Sequence, residues 1–202
     1  MYPPPPWHSH GRAWVQPYLV DAVHLTLPPG FCAVTALGKA VGFLALVEYV
    51  PPSPLVYAEL AWLPCLVDAS GERGLYIAKM YVDSRDSLAG GREIWAIPKQ
   101  LATFAIRSDS ATIDTEDGAH LQLVLHTRGP ALPLAAGART IQPRDGGIVR
   151  FHGSGTARTA SGGLSVRTQR GTEAWLGWES ARRLPGLGAA LTKFEITMHP
   201  PR

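Results

Sequence analysis

The amino-acid sequence predicts an α+β fold that consists mainly of antiparallel β-strands with a few short helices. Short runs rich in β-branched and aromatic residues recur along the chain, as is typical of strands. Clusters of proline and glycine separate these runs and predict turns. Only one segment combines the start and stop signals of a helix longer than one turn. The chain is long enough to bury a core, and we expect residues 1–202 to form a single domain.

The first part of the chain predicts strands separated by turns. After an extended, proline-rich start, the segment "RAWVQPYLVDAVHLTL" indicates a strand that is interrupted at Pro17. "PPG" at 28–30 predicts a turn. Three largely apolar runs follow, "AVGFLALVEYV", "PLVYAELAWLPCLV" and "LYIAKMYVD", and each predicts a buried strand. We expect these strands to be antiparallel neighbours.

A short helix is predicted next, over Asp86–Trp95. Ser84 can cap its first turn, and Asp86 suits the positive end of the helix dipole. Pro98 ends the helix, because the residue before a proline is pushed out of the α region. Lys99 is therefore expected just past the helix, where the chain enters a new strand.

The second part of the chain again predicts strands. "LATFAIRSDSATIDTEDGAHLQLVLHTR" alternates apolar and polar residues over short stretches, and "EDGA" is a hairpin turn signal. Residues Gly129–Gly147 are rich in proline, glycine and alanine, which predicts a long connection. Two strands are predicted on either side of 161–163, then one helical turn in "ESARRL" and a final strand in "ALTKFEITMHPP".

Composition and charge narrow the class of protein. Charged residues make up 17% of the chain, below the roughly 25% typical of soluble domains. This deficit favours a homo-oligomer, although a surface rich in Ser, Thr, Gly and Pro would explain it equally well. The arginines are scattered without a basic stripe, so no nucleic-acid partner is expected.

There is no signal peptide and no apolar run of the ~18 residues that span a membrane, so we expect a cytoplasmic protein without a membrane partner. No metal-ligand spacing and no cofactor motif is present, so neither metal nor cofactor is expected.

Lys99 stands out because it lies among apolar residues, whereas lysine normally keeps its ammonium in water. In one interpretation, its stem packs on apolar surface and its amine reaches solvent. In the other, the amine lies in a poorly solvated pocket. Desolvation disfavours an ammonium and can lower the pKa of a buried lysine to about 5–6. A neutral amine attacks ketones and aldehydes to form a Schiff base.

The sequence around this lysine resembles the acetoacetate decarboxylase family. The resemblance lies in the Tyr-x-Asp of 81–83, the Gly-Arg-Glu of 91–93, and the Pro-Lys of 98–99 followed by Leu101. "PWHSHGRAW", "ALVEYV" and "VYAEL" are similar to three further segments of that family. The similarity is best over 6–104 and weak from about residue 128 onward.

This resemblance implies a fold, an activity and a set of site residues. The fold is an acetoacetate decarboxylase-like β-cone or barrel. Lys99 corresponds to the Schiff-base lysine, and Glu59 and Glu48 to two catalytic glutamates that can move protons. Arg12 corresponds to an arginine that can hold a substrate carboxylate, and Gln100 is a second substrate-binding candidate. The implied reaction is decarboxylation of a small β-keto acid through an imine and an enamine, without a cofactor.

One residue departs from the family pattern. Decarboxylases of the family have a second lysine after the reactive one, and this chain has Gln100 in that place. A glutamine supplies no charge beside the amine. Two alternatives therefore stay open: a pyruvate-type aldolase or dehydratase of the same family, and a non-catalytic member that binds a hydrophobic carbonyl ligand or a protein partner. Arg92 and Glu93 are expected to pair inside the structure instead of touching substrate.

Overall fold

The structure is a computed structural model that describes all 202 residues. It contains thirteen strands, one α-helix and two single 3-10 turns, Ala22–His24 and Trp178–Ser180. The strands are β1 (Trp7–Asp21), β2 (Cys32–Ala33), β3 (Lys39–Val50), β4 (Tyr57–Leu63), β5 (Cys65–Ala69), β6 (Glu72–Tyr76), β7 (Lys79–Val82), β8 (Lys99–Ile106), β9 (Ser110–Thr115), β10 (His120–Arg144), β11 (Gly147–Arg170), β12 (Arg182–Arg183) and β13 (Ala189–Met198), and the helix is α1 (Arg85–Trp95). No helix combines the length and apolar character that crossing a membrane requires.

Nine of the strands form a closed barrel. They follow the order β11-β13-β1-β3-β4-β7-β8-β9-β10, and β10 pairs again with β11 to complete the ring. All neighbours in this ring are antiparallel except β7 and β8. The prediction of a mainly antiparallel β fold with few helices is confirmed, and closure leaves the barrel strands without free edges.

The strands β1, β3 and β4 present two faces with different surroundings. Side chains of directly paired residues lie on the same face, and the next residue along each strand lies on the other. Trp14, Leu46 and Leu60 pair across the three strands and belong to the largest buried cluster; we call their side the core face. Ala13, Val47 and Glu59 pair in the same way on the opposite side, which we call the cavity face.

Two of the predicted apolar runs each supply two strands. The second run is divided at Pro64, so that β4 stays in the barrel while β5 leaves it to pair with β2 and β6. The third run is divided between the end of β6 and β7. The apolar runs therefore predict strands in the right places. They do not predict the points at which one strand ends and the next pairs with different neighbours.

The parallel pair β7 and β8 is joined by α1. Parallel neighbours need a crossover connection, and the helix supplies it. The side chain of Ser84 caps the helix by accepting a hydrogen bond from the backbone N–H of Ser87 at 3.2 Å. Ala96 ends it in the left-handed conformation with φ of 55°. The predicted helix is confirmed to within one residue, and Lys99 opens β8 as expected.

The prediction of a long connection over Gly129–Gly147 is wrong. The segment instead belongs to β10 and β11, which form a two-stranded ribbon with a turn at 145–146. The two strands predicted around 161–163 are likewise one continuous strand, β11, in which Gly163 has φ of 109°. Residues 128–139 of β10 are largely exposed, whereas Thr140, Ile141 and Val149 nearer the turn are buried. An exposed strand rich in glycine and proline has the same composition as a loop, which explains the wrong prediction.

The predicted interruption of β1 at Pro17 is also wrong. The carbonyl oxygen of Pro17 accepts a hydrogen bond from the N–H of Leu184 at 3.0 Å. The backbone N–H and C=O of a strand residue point to the same side, so Pro17 faces the edge of β1 that pairs with β12 and β13. On this side, pairing with β13 ends at Val15 and pairing with β12 begins at Tyr18. The missing N–H of the proline falls in the gap between the two partner strands, so it costs no ladder hydrogen bond.

Candidate active site

The side chain of Lys99 is buried on the cavity face, where the residue is 2% exposed. Its Nζ donates hydrogen bonds to Glu59 Oε2 at 2.9 Å, Ser87 Oγ at 2.8 Å and Tyr57 OH at 3.4 Å. An ammonium has three donors and no acceptor, so these three oxygens satisfy it. The interpretation in which the amine reaches solvent is contradicted by this burial.

A glycine of the helix makes room for the lysine. Ser87 and Gly91 lie four residues apart and therefore share one face of α1. The stem of Lys99 passes over that face, and a Cβ built on Gly91 would lie 2.6 Å from both Cδ and Cε of the lysine. Glycine at 91 thus lets the stem pass close to the helix backbone so that the amine reaches Ser87 one turn earlier.

Two tyrosines hold the carboxylate of Glu59, which is 5% exposed. Tyr49 OH donates to Oε1 at 3.2 Å, and Tyr57 OH donates to Oε2 at 3.3 Å. Their rings stack with centroids 4.4 Å apart. Burial raises the pKa of Tyr49 and of Tyr57 well above its usual range, and the charge of Glu59 raises each further. Both phenols therefore stay protonated and remain donors at neutral pH.

The arrangement allows proton transfer between the two charged groups. Removing two charges from water costs several kcal/mol per ion, so a buried pair persists only with good geometry and further hydrogen bonds. The distance of 2.9 Å between Nζ of Lys99 and Glu59 Oε2 is within reach for a general base. Glu59 can accept a proton from the ammonium and leave a neutral amine, which is the nucleophilic form.

Arg12 and Glu48 lie on the core face, opposite the lysine. Arg12 pairs with Glu48 across β1 and β3, Glu48 pairs with Ala58 across β3 and β4, and Glu59 is the next residue along β4. The guanidinium of Arg12 donates to Glu48 and lies 5.3 Å above the ring of Trp14. The sheet separates this ion pair from the amine, so the site roles of these two residues stay predictions that rest on the resemblance.

Gln100 also faces away from the amine, because consecutive strand residues point to opposite faces. Its Oε1 accepts a hydrogen bond from Lys79 Nζ at 3.2 Å, and Lys79 pairs with Asp117 at 2.8 Å. No direct contact between the side chain at position 100 and the amine of Lys99 is possible in this conformation, whichever residue occupies that position.

The expected pairing of Arg92 with Glu93 is wrong, because the two side chains make separate structural contacts. Arg92 Nε donates to the backbone carbonyl of Lys99 at 2.7 Å, which fixes the start of β8 against the end of the helix. Glu93 accepts a hydrogen bond from the hydroxyl of Tyr2. Arg144 donates to the Glu93 backbone carbonyl at 2.8 Å and so ties the helix to the ribbon.

The sequence analysis missed three residues that touch the lysine or its carboxylate partner. Tyr57 lies two residues before Glu59, a spacing that puts both on one face of a strand. Ser87 lies four residues before Gly91, a spacing that puts both on one face of a helix. Tyr49 follows Glu48, and only the cross-strand register places it near Glu59.

A cavity of about 570 Å³ lies on the same side of the sheet. Val47 and Tyr49 of β3 line it, together with residues of the ribbon and of β13. Tyr49 takes part in both the lysine–glutamate site and the cavity, because its hydroxyl contacts Glu59 while its side chain forms part of the cavity wall. The lysine lies behind the stacked tyrosines and is not itself in that wall.

Fold and geometry together define a closed β-barrel protein with a buried lysine–carboxylate pair. The family model for acetoacetate decarboxylase (ADC) matches residues 2–143. The chain belongs to the acetoacetate decarboxylase family, as its resemblance to that family predicted.

Curated relatives match over short segments. The chain is 43% identical over 47 residues to an acetoacetate decarboxylase of Ralstonia nicotianae, which is 23% of this chain and 19% of that protein. It is 42% identical over 43 residues to acetoacetate decarboxylase 1 of Mesorhizobium japonicum, 21% and 17% of the two chains. The matched segments thus span less than a fifth of the length of these relatives.

Solved structures with the same fold cover nearly the whole chain. Acetoacetate decarboxylase from Legionella pneumophila has a TM-score of 0.64 at 18% identity, with 100% of this chain and 88% of that one covered. An acetoacetate decarboxylase-like enzyme from Sphingomonas wittichii RW1 has a TM-score of 0.61 at 16% identity, with 97% and 92% covered. The enduracididine biosynthesis enzyme MppR complexed with pyruvate has a TM-score of 0.59 at 17% identity, with 100% and 91% covered. These likenesses confirm the predicted acetoacetate decarboxylase-like barrel.

Gly91→Ala is expected to displace the lysine. Alanine raises intrinsic helix propensity by about 1 kcal/mol over glycine, but its methyl group would lie within 2.6 Å of the Lys99 stem. We expect at least a tenfold slower rate of Schiff-base formation at Lys99, measured by borohydride trapping with a keto acid. The control is Ala89→Gly, which changes helix propensity on a different helical face. An unchanged trapping rate in Gly91→Ala would contradict the role of Gly91.

Lys99→Met is expected to lower the free energy of unfolding by about 3–5 kcal/mol, because it leaves the Glu59 carboxylate buried without its cation. The double variant Lys99→Met/Glu59→Gln should recover most of this loss, since the amide is neutral and still accepts from the tyrosines. Urea unfolding of the two single variants and the double variant measures the coupling. Lys79→Met is the matched control, because its partly exposed pair with Asp117 should contribute about 1 kcal/mol or less. A Lys99→Met protein as stable as the wild type would mean that the tyrosines alone satisfy the carboxylate.

Proposed function

We propose that this chain is a Schiff-base-forming lyase that decarboxylates a small β-keto acid. One observation carries the proposal: the amine of Lys99 is buried 2.9 Å from a carboxylate oxygen of Glu59. A structural lysine gains nothing from such burial, because an apolar side chain of similar size would avoid the desolvation cost. Membership of the acetoacetate decarboxylase family supports the same class of reaction.

In the proposed mechanism, Glu59 takes one proton from the Lys99 ammonium. The free amine attacks the keto carbon, and loss of water from the carbinolamine gives a protonated imine. The electron pair of the bond to the carboxylate moves toward the imine nitrogen, carbon dioxide leaves, and an enamine remains. Protonation of the enamine carbon and addition of water release the ketone and restore the amine. The balance is one keto-acid anion and one proton converted to one ketone and one carbon dioxide.

The surrounding groups have supporting parts in this scheme. Tyr49 and Tyr57 hold the Glu59 carboxylate in place by donating to its two oxygens. Ser87 Oγ, 2.8 Å from Nζ, can exchange its contact for one to the carbinolamine hydroxyl. Apolar surroundings weaken the solvation of a bound carboxylate and so favour its loss.

Aldol or dehydration chemistry on a pyruvate-type substrate is the second candidate. The side chains that are hydrogen-bonded to the Lys99 amine supply a carboxylate and two hydroxyls, and no second cation is among them. MppR has the same fold and is described in complex with pyruvate and with the condensation product of pyruvate and imidazole 4-carboxaldehyde. A family member that binds a carbonyl ligand without turnover is the third candidate, and trapping distinguishes all three.

We also propose that the chain assembles as a homo-oligomer. The ribbon exposes two leucines of β10, Leu132 at 65% and Leu134 at 56%, and a second copy would cover them. Light scattering at micromolar concentration should give a mass that is a multiple of the 21.7 kDa chain. A monomeric mass would contradict the assignment.

Borohydride reduction in the presence of a keto acid tests the proposed chemistry. We expect acetoacetate to leave an isopropyl group on Lys99, because reduction after decarboxylation traps the imine of acetone. The chain has only four lysines, at 39, 79, 99 and 193, so peptide mass spectrometry locates the label unambiguously. The folded control is Lys99→Met/Glu59→Gln, which should stay unlabelled, and Lys79→Met should label as the wild type does.

Other outcomes of this experiment favour the alternatives. A 1-carboxyethyl group from pyruvate, with no adduct from acetoacetate, would favour aldol or dehydration chemistry. An adduct on a lysine other than Lys99, or none with either acid, would contradict a Schiff-base enzyme.

A further inference from the structure

The cavity beside the candidate site is large and apolar. Of its 19 lining residues, 15 are hydrophobic, and no lysine, arginine, aspartate or glutamate is among them. Its volume of about 570 Å³ lies in the range of roughly 300–1,000 Å³ that is typical of pockets for drug-sized ligands. A concave, mainly apolar pocket of this size with a few polar groups beside it is the usual form of a small-molecule site.

The cavity leads to the lysine through Tyr49. One wall is the cavity face of β1 and β3, and Val47 of that wall pairs directly with Glu59. The side chain of Tyr49 lines the cavity, its hydroxyl contacts Glu59 at 3.2 Å, and its ring stacks on Tyr57. Tyr57 OH in turn lies 3.4 Å from Nζ of Lys99. Tyr49 and Tyr57 thus form a chain of contacts from the cavity wall to the amine.

Other parts of the lining come from the second half of the chain. Thr140 and Phe151 of the ribbon and Leu191 and Phe194 of β13 line the cavity. Phe194 also meets Tyr49 edge-on, with ring centroids 5.8 Å apart. A hydrocarbon chain would contact mainly apolar side chains in this lining, whereas a carboxylate would find no charged partner.

Acetoacetate is too small to account for this space. Its four-carbon skeleton would engage the amine and leave most of the cavity empty. We propose that the substrate is a 3-oxo acid with an extended apolar chain: the keto carbon reaches Lys99 past Tyr49 and Tyr57, and the chain lies in the cavity. This inference rests on the proposed Schiff-base function, and the product would be carbon dioxide and a long-chain methyl ketone.

The kinetic test compares 3-oxobutanoate, 3-oxohexanoate and 3-oxooctanoate. Burial of each added methylene should raise kcat/KM about fourfold. Ala45→Phe, which places a ring in the cavity wall, should abolish this rise. Val41→Phe is the matched control on the same strand and face, because Val41 is 40% exposed and lies outside the cavity, so it should keep the rise. Leu191→Trp blocks the cavity from β13 if Ala45→Phe does not fold.

A binding test separates this inference from the proposed chemistry. 2-Heptanol cannot form an imine, so calorimetric titration with it reports only the cavity. We expect binding to the wild type and to Lys99→Met/Glu59→Gln, and at least tenfold weaker binding to Ala45→Phe. If 2-heptanol binds in this pattern and no keto acid labels Lys99, the Schiff-base function fails while the cavity remains a site for an apolar chain. Equal kcat/KM for the three acids, or absence of 2-heptanol binding to the wild type, would overturn the inference.

Discussion

The buried contact between Lys99 and Glu59 is the interaction on which the candidate site depends. Burying either ion alone in this apolar part of the barrel would cost free energy, and the attraction between the two ions offsets that cost. Their remaining hydrogen-bonding capacity is taken up by one serine and two tyrosines, so few of their polar atoms lack a partner. The cost of burying such a group of residues is a reason to look for a chemical role, because packing alone would be served better by apolar side chains.

The alternation of side chains along strands decides which polar residues can cooperate. Glu48 and Glu59 are both glutamates of paired strands, yet the register puts them on opposite faces. The same rule separates Gln100 from its neighbour Lys99. A second basic residue after the lysine would therefore act on the amine through the sheet and not by contact. The core face is filled by aromatic and aliphatic side chains, whereas the cavity face keeps open volume next to the reactive groups.

Local signals predicted the parts of the structure that depend on neighbours in sequence. The cap at Ser84 and the stop at Pro98 predicted the helix and the position of Lys99 after it. Glu59 was predicted from the resemblance of the segment "VYAEL" to the acetoacetate decarboxylase family. The ribbon was missed because residues 128–139 are largely exposed and show no period of two, and because its glycines and prolines indicate a loop. The separation of Arg12 from Glu59 could not be predicted, because a face depends on cross-strand register that no local pattern encodes.

The ribbon has a consequence for how substrate preference could diverge among relatives. Every group that touches the amine comes from residues 57–87, whereas the cavity lining is shared between residues 9–75 and residues 137–198. The contacts of the amine are thus encoded in one stretch of the gene, and about half of the cavity lining is encoded in a later one. Mutations in the later stretch can reshape what is accepted and leave the reactive centre intact, which fits a chain whose kinship is clearest in its first half.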